Sequence, residues 1–119
     1  MPRSPFRIVA RTLAALAALL SMGVLAASPA VAAPPAAQTT VVIEGSPAVF
    51  VPPTVTIHPG DSVRWINNAN GTHTTTSDTG VWDARLNPGQ SFTRTFPTAG
   101  VFRYHCTIHP GMTGSVTVQ

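Results

Sequence analysis

The sequence predicts an all-β fold, a small antiparallel β-sandwich or barrel with Greek-key connections. The chain has 119 residues, which is enough for one domain. After residue 33, no helical period of apolar residues is sustained over roughly ten positions. Instead, about eight short runs of β-branched and aromatic residues follow one another, with turn-forming residues between them at regular spacing.

Residues 1–33 are predicted to be a secretory signal peptide. Three Arg and no acid lie in residues 1–11, and residues 13–27 are mostly apolar. This apolar run is shorter than the ~20 residues of a spanning helix, and small residues follow it, so cleavage is favoured over a retained membrane anchor. The mature domain is predicted to be residues 34–119, exported to the periplasm or outside the cell.

The charge of the mature domain argues against a nucleic-acid partner. The whole chain has a formal net charge of +3, but three of its seven Arg belong to the leader. The other four Arg balance the four Asp and Glu, so the domain has a net charge of 4 − 4 = 0 with His neutral. Neither nucleic-acid nor anionic-membrane binding is indicated. We expect a monomer that does not span a membrane.

The predicted strands are short and are separated by Pro, Gly, Asn and Asp, which form turns. In chain order they are residues 39–44, 49–51, a segment around Val55 and Ile57, a segment around Val63 and Trp65, and residues 72–76, 91–96, 101–106 and 114–118. Asp61 and Asp83 are interpreted as solvated turn residues, and His58 as a surface residue.

Side-chain alternation orients the strand that precedes the only cysteine. Phe102, Tyr104 and Cys106 share one face, which is predicted to be the core side, whereas His105 points away. Arg94 stands between aromatic residues on an inward-facing position, and alternation does not explain it.

Cys106 cannot form a disulfide within the chain, because it has no second cysteine to pair with. Exported domains usually use cysteines in pairs, so Cys106 is an intermolecular partner, a free thiol or a metal ligand. A domain of 119 − 33 = 86 residues is also near the size at which one core is marginal. A bound metal would stabilise it.

Cys106, His109 and Met112 form a C-x2-H-x2-M motif on one short segment. A thiolate, an imidazole and a thioether suit a copper ion that cycles between Cu(I) and Cu(II). The segment leaves room for a further imidazole, and His73 is the best candidate, since it follows a polar loop and precedes an extended segment. The predicted site is the His2Cys centre with a weak axial Met that is typical of blue copper.

Each of these residues alone has a more ordinary explanation. A lone buried Cys usually acts as a small apolar side chain, a Met near the last strand usually belongs to the core, and a single His is usually structural. Their joint occurrence in one segment of an exported domain favours a metal site. Zinc is the alternative metal, but zinc rarely takes a thioether, so Met112 favours copper.

The sequence resembles the cupredoxins, and within them the plastocyanin/amicyanin group of small blue copper proteins. The resemblance covers essentially the whole mature chain. The motifs that carry it lie in residues 50–67, in the pair His73-Thr74 and in residues 88–116. The two-residue spacer before Met112 is more similar to amicyanin than to plastocyanin. The family often has Asn where this chain has Thr74, and that Asn helps to tie the two ligand loops together. A Thr hydroxyl could partly replace it.

The resemblance implies one type 1 copper ion with His73, Cys106 and His109 as strong equatorial ligands and Met112 as the axial ligand. It also implies a one-electron carrier whose protein donor and acceptor dock near His109, and no enzymatic activity. A fragment of a multicopper oxidase or nitrite reductase is the enzymatic alternative. It is disfavoured, because multicopper oxidases flank the cysteine with His on both sides and here Thr107 follows it. The remaining alternative is an exported copper storage or delivery module. Such a module would tend to carry additional Met or His clusters, which the sequence lacks.

Overall fold

Residues 34–119 fold into nine strands in the computed structural model, which also describes the isolated positions 18, 21, 23, 24, 28 and 29. Apart from these positions, the predicted signal peptide, residues 1–33, lies outside the described residues and stays a prediction. The strands are β1 Gln38–Gly45, β2 Ala48–Val51, β3 Thr54–Ile57, β4 Ser62–Asn67, β5 His73–Ser77, β6 Asp83–Leu86, β7 Ser91–Thr95, β8 Gly100–His105 and β9 Thr113–Val118.

The strands form two sheets, which confirms the all-β prediction. One sheet has the order β2-β1-β4-β7, and the other has the order β3-β9-β8-β5-β6. Both sheets are mixed, because β1 pairs with β4 and β3 pairs with β9 in parallel. The other strand pairs are antiparallel, as the sequence predicts, and these two parallel pairs are the exceptions. Each pair joins strands that are distant in sequence, and strand direction across such a connection is not encoded in local alternation.

Contrary to the prediction from the sequence, Asp83 does not lie in a turn and begins strand β6. Its sequence, Asp-Ala-Arg-Leu, lacks β-branched and aromatic residues, so local propensity does not mark it as a strand. It forms at the edge of the sheet by pairing antiparallel with β5, with Asp83 opposite Thr76 and Leu86 opposite His73. Charged residues are common on such edge strands, because they discourage pairing with other chains.

Alternation places one face of each central strand in the core between the sheets. Trp65 on β4 and Tyr104 on β8 are almost fully buried, with ring centroids 5.3 Å apart in an edge-to-face contact. Phe50 contacts Tyr104 in the same way, at 4.8 Å. Burial raises the pKa of Tyr104 to about 12. The core strands β4 and β8 thereby provide a rigid base for the loops that follow them.

Arg94 occupies a half-buried position of β7 and places its guanidinium over aromatic rings. The Cζ atom lies 4.5 Å from the ring centroid of Phe96, 5.1 Å from that of Trp82 and 5.8 Å from that of Phe102. Aromatic faces attract a cation, and the long side-chain stem covers apolar surface. This contact accounts for an arginine between aromatic residues, which alternation alone did not explain.

The turn between β3 and β4 is held by Asp61, as expected for a turn residue. Its carboxylate accepts hydrogen bonds from the amides of Ala37 and His58, at 2.9 and 3.0 Å, and these bonds lower its pKa. His58 is exposed, as predicted, and its Nδ1 lies 2.8 Å from the carbonyl oxygen of Gln119. Within the described part of the chain, no helix has the length and apolar character needed to cross a bilayer.

Candidate metal centre

The residues of the predicted site come from two parts of the chain that meet at one end of the sandwich. His73 is the first residue of β5, and Cys106 directly follows β8. His109 and Met112 lie on the connection between β8 and β9. The alternation of β8 turns Cys106 inward, where it is 4% exposed, while His73 is equally buried and His109 is exposed.

The structure brings the nitrogen and sulfur donors of this site close together. Potential ligand atoms of His73, Cys106 and His109 all lie within 4.8 Å of one another. The sulfur of Cys106 is 4.0 Å from Nδ1 of His73 and 3.6 Å from Nδ1 of His109. Two ligands bound at about 2.0–2.3 Å to one ion lie at most about 4.6 Å apart. Both sulfur-to-nitrogen separations therefore fit a single ion.

Met112 is held at the same end of the molecule by the backbone of its own loop. The amide of Cys106 donates to the carbonyl of Met112 at 3.0 Å, and the amide of Met112 donates to the carbonyl of His109 at 3.3 Å. Met112 is 4% exposed and lines one groove together with both histidines. The short C-x2-H-x2-M spacing thus folds into a tight loop that collects its three side chains.

The surroundings of Cys106 favour its thiolate. Burial alone would raise the pKa of the thiol. Hydrogen bonds outweigh this effect and lower the pKa to about 7: they come from the amide of Thr74, the side chain of His109 and the amides of Ile108 and His109. The thiolate is the form that binds a metal.

His73 is also kept in its metal-binding form. Burial lowers the pKa of its imidazole, and the nearby His109 lowers it further by charge repulsion. A neutral imidazole retains the lone pair that a metal needs. The two rings lie with their centroids 4.5 Å apart. The site therefore presents a thiolate, two imidazoles and a thioether, which is the donor set of type 1 copper.

Comparison with known proteins decides the family. The family described as copper binding proteins, plastocyanin/azurin family, matches residues 37–119. The chain belongs to this family. The resemblance to cupredoxins, the fold class and the copper cofactor predicted from the sequence are thereby confirmed, and the chain is a blue copper protein.

Two relatives illustrate the similarity in sequence. The chloroplastic plastocyanin of Tetradesmus obliquus is 42% identical over 85 residues, which cover 60% of this chain and 59% of that protein. The amicyanin of Paracoccus denitrificans is 32% identical over 94 residues, which cover 74% of this chain and 72% of that protein. This cupredoxin therefore spans less than two thirds of the length of the first relative.

Solved structures show the same similarity in fold. The amicyanin of Paracoccus versutus matches with a TM-score of 0.60 at 31% identity, over 73% of this chain and 85% of that one. A purple cupredoxin from Nitrosopumilus maritimus matches with a TM-score of 0.62 at 26% identity, over 68% of this chain and 99% of that one. The cupredoxin fold thus extends over the nine-stranded part of the chain.

Thr74 connects the two ligand-bearing segments of this cupredoxin. Its amide donates to the sulfur of Cys106 at 3.3 Å. Its hydroxyl oxygen accepts a hydrogen bond from the amide of Thr107 at 2.9 Å. Thr74 is 3% exposed, so the bond to the sulfur is buried, whereas the bond from Thr107 is partly buried. The threonine hydroxyl therefore connects the two ligand segments, in the role that the resemblance to the cupredoxins assigns to an asparagine.

Asn67 is a further positioning residue of the cupredoxin site and is not among the residues predicted from the sequence. It is fully buried at the end of β4, and its side-chain NH2 donates to the carbonyls of Gly71 and Leu86 at 2.8 and 2.9 Å. Its Oδ1 accepts from the amide of Ala69 at 2.9 Å. These bonds shape the loop that leads into His73. The sequence does carry an indication of this role. Val63, Trp65 and Asn67 are spaced two residues apart, so Asn67 faces inward like the two apolar residues, and a buried polar side chain needs hydrogen-bond partners.

The other two histidines of the described cupredoxin domain do not join the ligand cluster. His105 points away from Cys106, as predicted, and its Nδ1 lies 2.5 Å from Oδ1 of Asp78 on the surface. His58 lies in the turn between β3 and β4. Of the four imidazoles in the sequence, the structure thus selects His73 and His109 for the donor cluster.

Proposed function

We propose that the protein is a one-electron carrier with a copper ion bound by Cys106, His73 and His109 and, more weakly, by Met112. The convergence of the three nitrogen and sulfur donors within 4.8 Å carries this proposal. When bound, copper supplies a centre that accepts and donates one electron at a time. The residues of the chain then have two tasks, which are to hold the ligands and to admit redox partners.

The ligands are held by a frame that resists rearrangement. Cys106 extends from the core strand β8, and the fully satisfied side chain of Asn67 shapes the loop before His73. Thr74 links both segments. A frame of this kind offers both oxidation states nearly the same geometry, so little reorganisation accompanies each transfer. The arrangement supports a carrier more than a protein that must release its ion.

Enzymatic activity is not part of the proposal. Among the residues that the structure describes, one group of three or more His, Cys, Asp or Glu side chains could hold a metal. A multicopper oxidase needs further copper ions and a His directly after the cysteine, where this chain has Thr107. A copper storage or delivery module is the alternative function, and its task requires that copper leaves the site.

Repeated redox cycling distinguishes a carrier from a delivery module. We expect the copper-loaded protein to keep one copper ion per chain through successive rounds of reduction and oxidation in the presence of a Cu(I) chelator. The measurement is the copper content after gel filtration, with the protein held oxidised throughout as the control. Transfer of the ion to the chelator in the reduced state would instead assign the protein to copper delivery.

Electrons are proposed to enter and leave at the exposed edge of His109. The neighbouring Pro110 and Ile108 are exposed and apolar, and a groove continues from this edge between the ligand loop and the turn from β1 to β2. Among the described residues that line the groove, none is Asp, Glu, Lys or Arg. Docking of a protein donor or acceptor here rests on apolar contact, and no nucleic acid is involved.

An apolar docking surface predicts a weak dependence of electron exchange on salt. Electrostatic steering falls steeply with ionic strength, over a Debye length of about 10 Å at 0.1 M salt. We expect stopped-flow rates with a protein redox partner to change little across a salt series, and Pro110→Glu to slow the exchange. Val101→Glu is the matched control, because Val101 is 64% exposed at the opposite end of β8. A steep decline of the wild-type rate with salt would contradict this docking mode.

Export to the periplasm or the extracellular space, as a monomer without a membrane span, completes the proposal. Export rests on the predicted signal peptide, residues 1–33, and the balanced charge of residues 34–119 argues only against binding to an anionic membrane surface. Intact-mass analysis of the exported protein tests the boundary, and a mass that retains residues 1–32 would refute cleavage there.

A further inference from the structure

A row of hydrogen bonds leads from the ligand loop to an acidic residue at the sheet edge. The amide of Thr107 donates to Oγ1 of Thr74 at 2.9 Å. Oγ1 of Thr74 lies 2.9 Å from Oγ1 of Thr76, which donates to Oδ1 of Asp83 at 2.8 Å. Thr74 and Thr76 share one face of β5, and Asp83 stands directly opposite Thr76 on β6.

The chemistry of the two ends sets the direction of every bond in this row. An ionised carboxylate can only accept, so Thr76 directs its one hydroxyl proton to Asp83. The oxygen of Thr76 is then the acceptor for the hydroxyl proton of Thr74. With that proton engaged, the oxygen of Thr74 is free to accept from the amide of Thr107, which can only donate. The hydroxyl of Thr107, 3.3 Å from the same oxygen, fits as a further donor.

We propose that Asp83 is a positioning residue for the metal centre and acts through Thr76 and Thr74 on the segment that carries Cys106. A threonine hydroxyl rotates, whereas the side-chain amide of an asparagine has its donor and acceptor in fixed places. A chain that ties its ligand segments with Thr74 therefore needs a group that orients this hydroxyl. Asp83 provides that group from a strand that contributes no ligand to the site.

The row affects the sulfur of Cys106 because Thr74 contacts both ligand segments. The amide of Thr74 donates to that sulfur at 3.3 Å while its hydroxyl holds the amide of Thr107, the next residue in the chain. If the hydroxyl of Thr74 loses its orientation, the segment that carries Cys106 and Thr107 is held less firmly. The hydrogen bond from the amide of Thr74 to the sulfur of Cys106 is then weakened. A hydrogen bond to a thiolate favours the state with more negative charge on sulfur, which is the reduced state of the site.

Amide hydrogen exchange at Thr107 tests the row directly, in the metal-free and the Cu(I)-loaded protein. Thr76→Val and Asp83→Ala should each accelerate this exchange about fivefold, because roughly one hydrogen bond of ~1 kcal/mol is lost. Asp83→Asn retains an acceptor oxygen and Thr76→Ser retains the hydroxyl, so both should keep the protection. Thr93→Val is the matched control, since Thr93 is an exposed strand threonine in the other sheet. Unchanged exchange in Thr76→Val would overturn the proposal.

The reduction potentials of the copper-loaded variants distinguish an effect of the orientation of the Thr74 hydroxyl from an effect of the negative charge of Asp83. Thr76→Val keeps the carboxylate but breaks the row, so its potential should fall. Asp83→Asn keeps an acceptor but removes a negative charge that favours Cu(II), so its potential should rise. If Thr76→Val left the potential unchanged, Asp83 would act through its charge alone and the positioning role would be refuted. The inference rests on the proposed ligands, but exchange in the metal-free protein can fail independently of them.

Discussion

Replacement of Cys106 by Ser should abolish the visible colour of the copper-loaded protein. The strong absorption near the red end of the visible spectrum is expected to arise from charge transfer between a thiolate and Cu(II), and serine offers only a hard, protonated oxygen at that position. The buried sulfur lies 3.6 and 4.0 Å from the two imidazole nitrogens, so its loss removes the central donor of the cluster. The expected effect is complete loss of the band, measured by absorption after copper titration.

His105→Ala is the matched control for this experiment. His105 precedes Cys106 in the sequence but points to the surface, where it contacts Asp78. We therefore expect the colour and the copper stoichiometry of this variant to match the wild type. A variant series in which His105→Ala lost the band while Cys106→Ser kept it would reject the proposed ligands, although the membership of the family would stand.

Gly114→Ala should strongly destabilise the fold, although alanine usually suits a strand better than glycine. A Cβ atom at position 114 would overlap Cζ and the hydroxyl oxygen of Tyr104 and lie 2.8 Å from its Cε2. The two residues stand opposite each other on β8 and β9. Tyr104 is 1% exposed and packs against Phe50 and Trp65, so any shift of its ring away from the new methyl group would disturb these core contacts. We expect a loss of about 3 kcal/mol in the free energy of unfolding, at the upper end of overpacking effects.

Urea denaturation of metal-free protein measures this loss without the contribution of copper binding. Tyr104→Phe should not rescue Gly114→Ala, because the phenyl Cζ remains in the path of the new methyl group. Tyr104→Leu shortens the side chain and should make the double variant less destabilised than the sum of its single changes. Additive effects in that cycle would show that the clash with Tyr104 is not the cause. Since Tyr104 lies two residues before Cys106, a shift of its strand would also displace the ligand loop.

Much of the proposed site could be predicted from the sequence, because three of its four ligands lie close together in the chain. The C-x2-H-x2-M spacing confines three donors to one loop, and alternation along β8 turns Cys106 inward without reference to any other strand. His73 required a further inference, since it lies 33 residues before Cys106. Its place after a polar loop was sufficient to select it from the imidazoles.

The remaining features depend on pairing between distant segments, which local periodicity does not encode. Parallel pairing of β1 with β4 and of β3 with β9 follows from how the chain crosses between sheets. The strand β6 forms only because β5 offers it a partner, and this pairing places Asp83 opposite Thr76. Asn67 donates to the carbonyl of Leu86, and the guanidinium of Arg94 lies over the ring of Trp82. Both contacts join residues that are distant in the sequence.

The sequence by itself thus determined the all-β class, the inward and outward faces of the strands and the donor types of the metal site. These properties follow from side-chain chemistry and from the two-residue period of a strand. Only the tertiary structure decided which strands run parallel, how Thr74 ties two ligand segments and which acidic side chain orients its hydroxyl. Those outcomes depend on hydrogen-bond directions between residues such as Thr74 and Thr107, 33 positions apart, and such directions exist only once the sheets have assembled.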